Sequence, residues 1–100
     1  LFVKISDNVT TDEQEPKLMF TSSMHGDEIA GYPMMLSLID YILTVYADTG
    51  HADYARVKNL VENAEIWINP SANPDGTYYG SANNTSVTGA RRGNFYNIDL

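Results

Sequence analysis

One hundred residues make one small domain or a piece of a larger one. Thirteen acidic against six basic side chains give a net charge of −7, which speaks against nucleic acid and against anionic membrane surfaces as partners. There is no cysteine, so disulfides and thiolate metal sites are excluded, and no apolar run approaches the length of a membrane-spanning helix.

Residues 1–6 predict a strand. Residues 7–16 are rich in Asp, Asn, Thr and Glu, end on Pro16, and predict a polar turn. Residues 17–24 predict a second strand, expected to pair with the first as an antiparallel hairpin. Its Leu18-Met19-Phe20 run lacks alternation and suggests burial on both faces.

A helix is predicted over 28–47. Met35, Leu38, Ile39, Ile42 and Tyr46 follow the i, i+3, i+4 spacing of one apolar stripe. Asp27 is a candidate N-cap, although Pro33 moves the start toward Ile29 or Ala30. Asp48-Thr49-Gly50 ends this helix. A shorter one follows over 52–63, with Tyr54, Val57, Leu60 and Val61 as its apolar face.

Ile66-Trp67-Ile68 predicts a third strand, closed by Asn69-Pro70, after which Asn73-Pro74-Asp75-Gly76 and a polar loop run through Gly89. Strand, helices and strand form a crossover unit, so strands two and three should lie parallel and be joined right-handedly. The fold class is therefore α/β. Ligands of such sheets collect at the carboxyl ends of the strands, where both His25 and the 69–76 segment fall. Both chain ends lie in strand-like patterns, Leu1 to Ile5 and Asn97 to Leu100, and no signal peptide is visible. The chain is expected to be cut from something longer. The sequons at Asn8, Asn83 and Asn84 matter only in a glycosylating host.

Three motifs bear chemistry. In Met24-His25-Gly26-Asp27-Glu28, a histidine and a glutamate stand three residues apart at a strand-to-helix junction. Imidazole nitrogen and carboxylate oxygen are ligands that a catalytic zinc takes, three from protein with one position open. The plain alternative is a first-turn acid favoured by the helix dipole beside a turn histidine. Asn73-Pro74-Asp75-Gly76 by itself spells a tight turn. Arg91-Arg92-Gly93-Asn94 offers a permanently charged guanidinium suited to an oxyanion, or simply a solvated basic pair. His51 lies between the two helices and reads as a solvated loop residue. Asp75 and Asp99 read as turn and packing residues.

Taken in order, His25-Gly26-Asp27-Glu28, Ile66-Trp67-Ile68-Asn69-Pro70, Asn73-Pro74-Asp75-Gly76, Arg92-Gly93-Asn94 and Ile98-Asp99-Leu100 resemble the N-terminal part of the zinc metallocarboxypeptidases, the carboxypeptidase A-like family. The resemblance covers nearly the whole chain. Asp27 stands where the pancreatic enzymes place an arginine, which points to the regulatory and bacterial branches.

The resemblance implies a three-layer α/β/α mixed-sheet fold, of which residues 1–100 are the N-terminal part of one catalytic domain. It implies one Zn2+ with His25 and Glu28 as two of its ligands, and Arg92 as the group that polarises the scissile carbonyl and binds substrate. The third ligand, the general base and the carboxylate-gripping pair are expected beyond Leu100. The implied activity is release of C-terminal residues from peptides with a free C-terminus, in a secreted or periplasmic protein. The isolated chain is expected to be inactive, to bind zinc weakly, and to self-associate through exposed sheet edges. An N-acyl-amino-acid deacylase or murein-peptide hydrolase of the same fold, or a non-catalytic binding domain, are the alternatives.

Overall fold

The computed structural model describes all 100 residues. Strands β1 (Val3–Ile5), β2 (Lys17–Thr21) and β3 (Glu65–Asn69) form one sheet, with helices α1 (Gly31–Ala47) and α2 (Tyr54–Val61) between β2 and β3 and a single turn of helix, α3 (Pro74–Thr77), after β3. The expected crossover is present: β2 and β3 are parallel, with Leu18 opposite Ile66 and Phe20 opposite Ile68.

The expected hairpin is not. β3 lies at the centre, β1 pairs with it antiparallel on one side, and β2 lies on the other. Ile66 and Ile68 supply the reason. Both are buried, and Val3 and Ile5 align with Ile68 and Ile66 in register, extending the apolar face over which the helices sit. A β1–β2 pair would have left β3 without that neighbour.

Ile42 and Val45 of α1, Val57 and Val61 of α2, and Ile5, Ile66 and Ile68 of the sheet form the core. Met35, Leu38, Ile39 and Tyr46 pack around it, so the predicted stripe faces inward. Ile68 has no exposed surface, and full burial of such a side chain contributes about 1.5–3 kcal/mol.

The helix starts three residues after position 28, within one residue of the Ala30 toward which Pro33 moved it. α1 begins at Gly31, its N-cap is Ala30 without a side-chain cap, and Asp27 plays no capping part. Pro33 is then the third helical residue, where the N–H has no intrahelical partner to lose. The connection to α2 is more ordered than a solvated loop. The Asp53 N–H donates to His51 Nδ1 at 3.0 Å, and the His51 ring stands edge-on to Tyr41 with centroids 6.2 Å apart.

β2 also departs from the reading. All five residues are exposed, Met19 by 63%. An apolar run of this kind suits a strand covered on both faces. Here β2 is an edge strand, and the helices stand over β3 instead.

The opposite face of β3 is polar. Glu65 is only 2% exposed and is met by Lys4 Nζ at 3.0 Å, Lys17 Nζ at 3.8 Å and the Trp67 indole N–H at 3.2 Å. A buried carboxylate needs such partners to remain charged. The Lys4 ammonium above all, with help from Trp67 and Lys17, holds the Glu65 carboxyl below its ordinary value of 4.5. A carboxylate depressed in the folded state stabilises above the unfolded pKa and loses that contribution as pH falls through the folded one.

Past the strand ends the two parallel strands stay tied. The Ser22 N–H donates to Asn69 O at 3.1 Å, Ala72 N–H to Ser22 O at 2.9 Å, and Asn73 N–H to Ser23 O at 3.1 Å. Ser23 turns the chain with φ 53°, and its hydroxyl donates to Glu28 O at 3.0 Å. Gly26 lies in the next bend, where a Cβ would stand 2.3 Å from Gly76 C and 2.5 Å from Arg91 O. Both neighbours are backbone and have nowhere to go.

Two outcomes follow from this packing. Glu65→Gln is expected to lower the thermal midpoint at pH 7, and the gap from wild type should narrow as pH falls below about 4.5. Equal pH slopes for the two proteins in a denaturation series from pH 7 to pH 2 would refute the role given to Glu65. Gly26→Ala should destabilise by about 1–3 kcal/mol, as overpacking does. Gly50→Ala, whose Cβ meets only Asp48 Oδ1 at 3.4 Å, should be tolerated in the same urea titration.

Candidate metal centre

His25 and Glu28 converge because they are the ends of one turn. The Glu28 N–H donates to His25 O at 3.1 Å, closing a four-residue turn with Gly26 and Asp27 at its middle. The expectation that Glu28 opens the helix is therefore corrected. The turn does what a first helical turn was expected to do, and the helix follows three residues later.

Glu28 Oε2 lies 3.2 Å from His25 Nδ1 without hydrogen-bond geometry, and Nδ1 is shielded from solvent with no hydrogen-bond partner. A buried nitrogen left without a partner is uncommon. Two ligand atoms each about 2.1 Å from a tetrahedral zinc stand about 3.4 Å apart. The pair thus has the donor types and the spacing of two ligands of one metal ion. The His25 side chain is 13% exposed and that of Glu28 63%, so the pair has a sheltered side and an open one.

The other side of the imidazole faces Asp99, whose Oδ1 is 3.3 Å from His25 Nε2. The same carboxylate receives Arg92, whose Nε donates to both Asp99 oxygens at 3.0 Å. The Arg92 guanidinium holds the Asp99 carboxyl below the usual carboxylate range, with His25 adding to the effect. Asp99 therefore stays ionised between two nitrogen-bearing groups. Sequence reasoning set it aside as a packing residue. The signal that could have found it is the Ile98-Asp99-Leu100 segment seven residues after Arg92.

That return is built by Asn94. Its carboxamide oxygen accepts the N–H groups of Tyr96 at 3.0 Å and Ile98 at 3.1 Å, while its own N–H donates to Ile98 O at 3.0 Å. Asn97 completes the bend with φ 59°. The segment 97–100, strand-like in its pattern, is consequently a looped return.

Arg91 and Arg92 are used differently. The Arg91 guanidinium lies 3.4 Å over the Tyr79 ring centroid and donates to Asn94 O at 2.8 Å and Phe95 O at 2.5 Å, all within its own loop. Arg92 points out toward Asp99 and His25 with 54% of its side chain exposed. His51 lies between the helices, away from this group, and Asp75 sits in the first turn of α3.

The zinc carboxypeptidase family model matches residues 1–100. A zinc carboxypeptidase of Saccharothrix mutabilis subsp. capreolus is 44% identical over 80 residues, which cover 80% of this chain and 17% of that protein. Human carboxypeptidase D is 35% identical over 99 residues, 98% of this chain and 7% of that protein. Among solved structures, a chain described as a carboxypeptidase A from Shewanella denitrificans OS-217 superposes with a TM-score of 0.60 at 25% identity, covering 99% of this chain and 21% of that one. The chain thus spans about a fifth or less of the length of these relatives. Sequence, fold and the order of its motifs agree, and the chain belongs to the zinc carboxypeptidase family.

Proposed function

We propose that the polypeptide carrying this chain is a zinc-dependent exopeptidase that removes C-terminal residues from peptides, with His25 and Glu28 as two of the zinc ligands and Arg92 as the group that stabilises the oxyanion. The observation that carries the reading is the pair His25 Nδ1 and Glu28 Oε2, 3.2 Å apart without a hydrogen bond. Family membership supports zinc in the intact enzyme. When bound, the ion activates water and polarises the scissile carbonyl.

The residues of this chain divide the remaining work. Asp99 faces Nε2 of His25, which keeps the proton there and leaves the Nδ1 lone pair for the metal. Arg92 is anchored through Nε on Asp99, so its two terminal nitrogens are left to donate to a carbonyl oxygen that gains charge. Such donors act on the transition state more than on the bound substrate, so their loss falls on kcat. Extracellular or periplasmic location accompanies this reading. In the isolated 100-residue chain the exposed edge at β2 is open to pairing with a second copy.

Zinc titration by calorimetry tests the ligand assignment. Wild-type chain is expected to show weak binding that His25→Ala abolishes and Glu28→Gln reduces. Equal heats for all three would refute it. For the longer polypeptide, release of a C-terminal residue that chelation stops and zinc restores is the expected activity. Arg92→Ala is expected to lower kcat about 10²–10³-fold. Metal-independent release, or none, would overturn the functional assignment.

A further inference from the structure

The side chain of Asn73 reads in sequence as an ordinary turn asparagine, and the structure gives it more to do. It is 3% exposed. Its Oδ1 accepts the Gly76 N–H at 2.9 Å and so caps α3. Its Nδ2 donates to the backbone oxygen of Arg92 at 3.2 Å. Its backbone N–H donates to Ser23 O at 3.1 Å, two residues before His25.

Asn73 therefore touches the loop of the histidine, the helix after β3, and the loop of the arginine. The same Arg92 oxygen also accepts the Gly26 N–H at 3.1 Å, and the Arg91 N–H donates to Gly76 O at 3.0 Å. No side chain fits between these strands of backbone. A Cβ on Gly76 would stand 2.5 Å from Gly93 O and 2.6 Å from Asn73 Nδ2.

We propose that Asn73 is a positioning residue for the reaction: through its carboxamide N–H it fixes the Arg92 backbone against the Gly26 turn, and so sets where the guanidinium stands relative to the His25–Glu28 pair. The inference rests on the reading of Arg92 as the oxyanion-stabilising group. The Asp99 pair orients the guanidinium, but both side chains are more than half exposed and do not hold the Arg92 backbone, whose placement is left to the residues beneath it. The backbone beneath it is held by two donors, one from the His25–Glu28 turn and one from Asn73.

Asn73→Asp separates this role from capping. Aspartate caps a helix as well as asparagine, so the bond to Gly76 is kept. The donor to Arg92 is replaced by a carboxylate oxygen facing a carbonyl oxygen, which repel. In the zinc-loaded protein expressed from its whole reading frame, N73D is expected to keep its zinc, to lower kcat for a peptide with a free C-terminus by about 10- to 100-fold, and to leave KM within about threefold. Amide exchange should speed up at Gly26 and stay slow at Gly76. Unchanged kcat in folded, zinc-replete N73D, or a loss confined to KM, would overturn the proposal.

If N73D does not fold, wild-type exchange decides. Slow exchange of the Asn73 carboxamide protons and of the Gly26 amide supports the contact, and fast exchange of either overturns it. A wild-type protein without zinc-dependent release of C-terminal residues removes the functional reading instead, while the exchange data still judge the contact by itself.

Discussion

The parallel pairing of β2 with β3 is the constraint from which the site follows. Two adjacent parallel strands end at the same edge, so the segments that leave them start side by side. The hydrogen bonds from Ser22 to Asn69, Ala72 to Ser22 and Asn73 to Ser23 carry that pairing beyond the strands and into the loops. The His25–Glu28 turn and the Asn73–Gly76 turn of helix are thus a continuation of the sheet. Register supplies the placement: a slip of one residue would turn Phe20 and Ile68 to opposite faces and carry His25 away with them.

How much of this was legible in the sequence depended on how local the cause was. The apolar stripe of α1, the third strand at Ile66-Trp67-Ile68, and the convergence of His25 with Glu28 depend on residues a few positions apart, and the sequence showed them. The pairing of β1 did not show. Whether a first strand pairs with the second or the third depends on which offers the better apolar face, and only the packed core settles that. The start of α1 was misplaced because a turn and a first helical turn both bring residues i and i+3 together, so His25 and Glu28 satisfy either.

Asn73 and Asp99 were underread for a different reason. Asn-Pro-Asp-Gly has a complete local explanation as a turn, and that explanation is correct: Asn73 does cap α3. A carboxamide has two ends, however, and the second reaches a residue nineteen positions on. Asp99 likewise acquires its place only through the bend built by Asn94 and Asn97. Local propensity accounts for one hydrogen bond of each such group and is silent about the other.

A division of labour is visible in the burial of these groups. Of the side chains grouped at the proposed site, Glu28, Arg92 and Asp99 are each more than half exposed, and His25 alone is sheltered. Ion pairs among such groups are screened by water and contribute little to holding a loop in place. The groups that fix the backbone, Asn73, Gly26, Gly76 and Gly93, are buried, where a hydrogen bond is stronger and a lost partner costs more. His25 is sheltered, but the other groups of the site stand open to solvent, so much of their precision has to come from beneath them. That is why three glycines and an asparagine, none with reactive chemistry, stand under the turn and the loop that carry His25, Glu28 and Arg92.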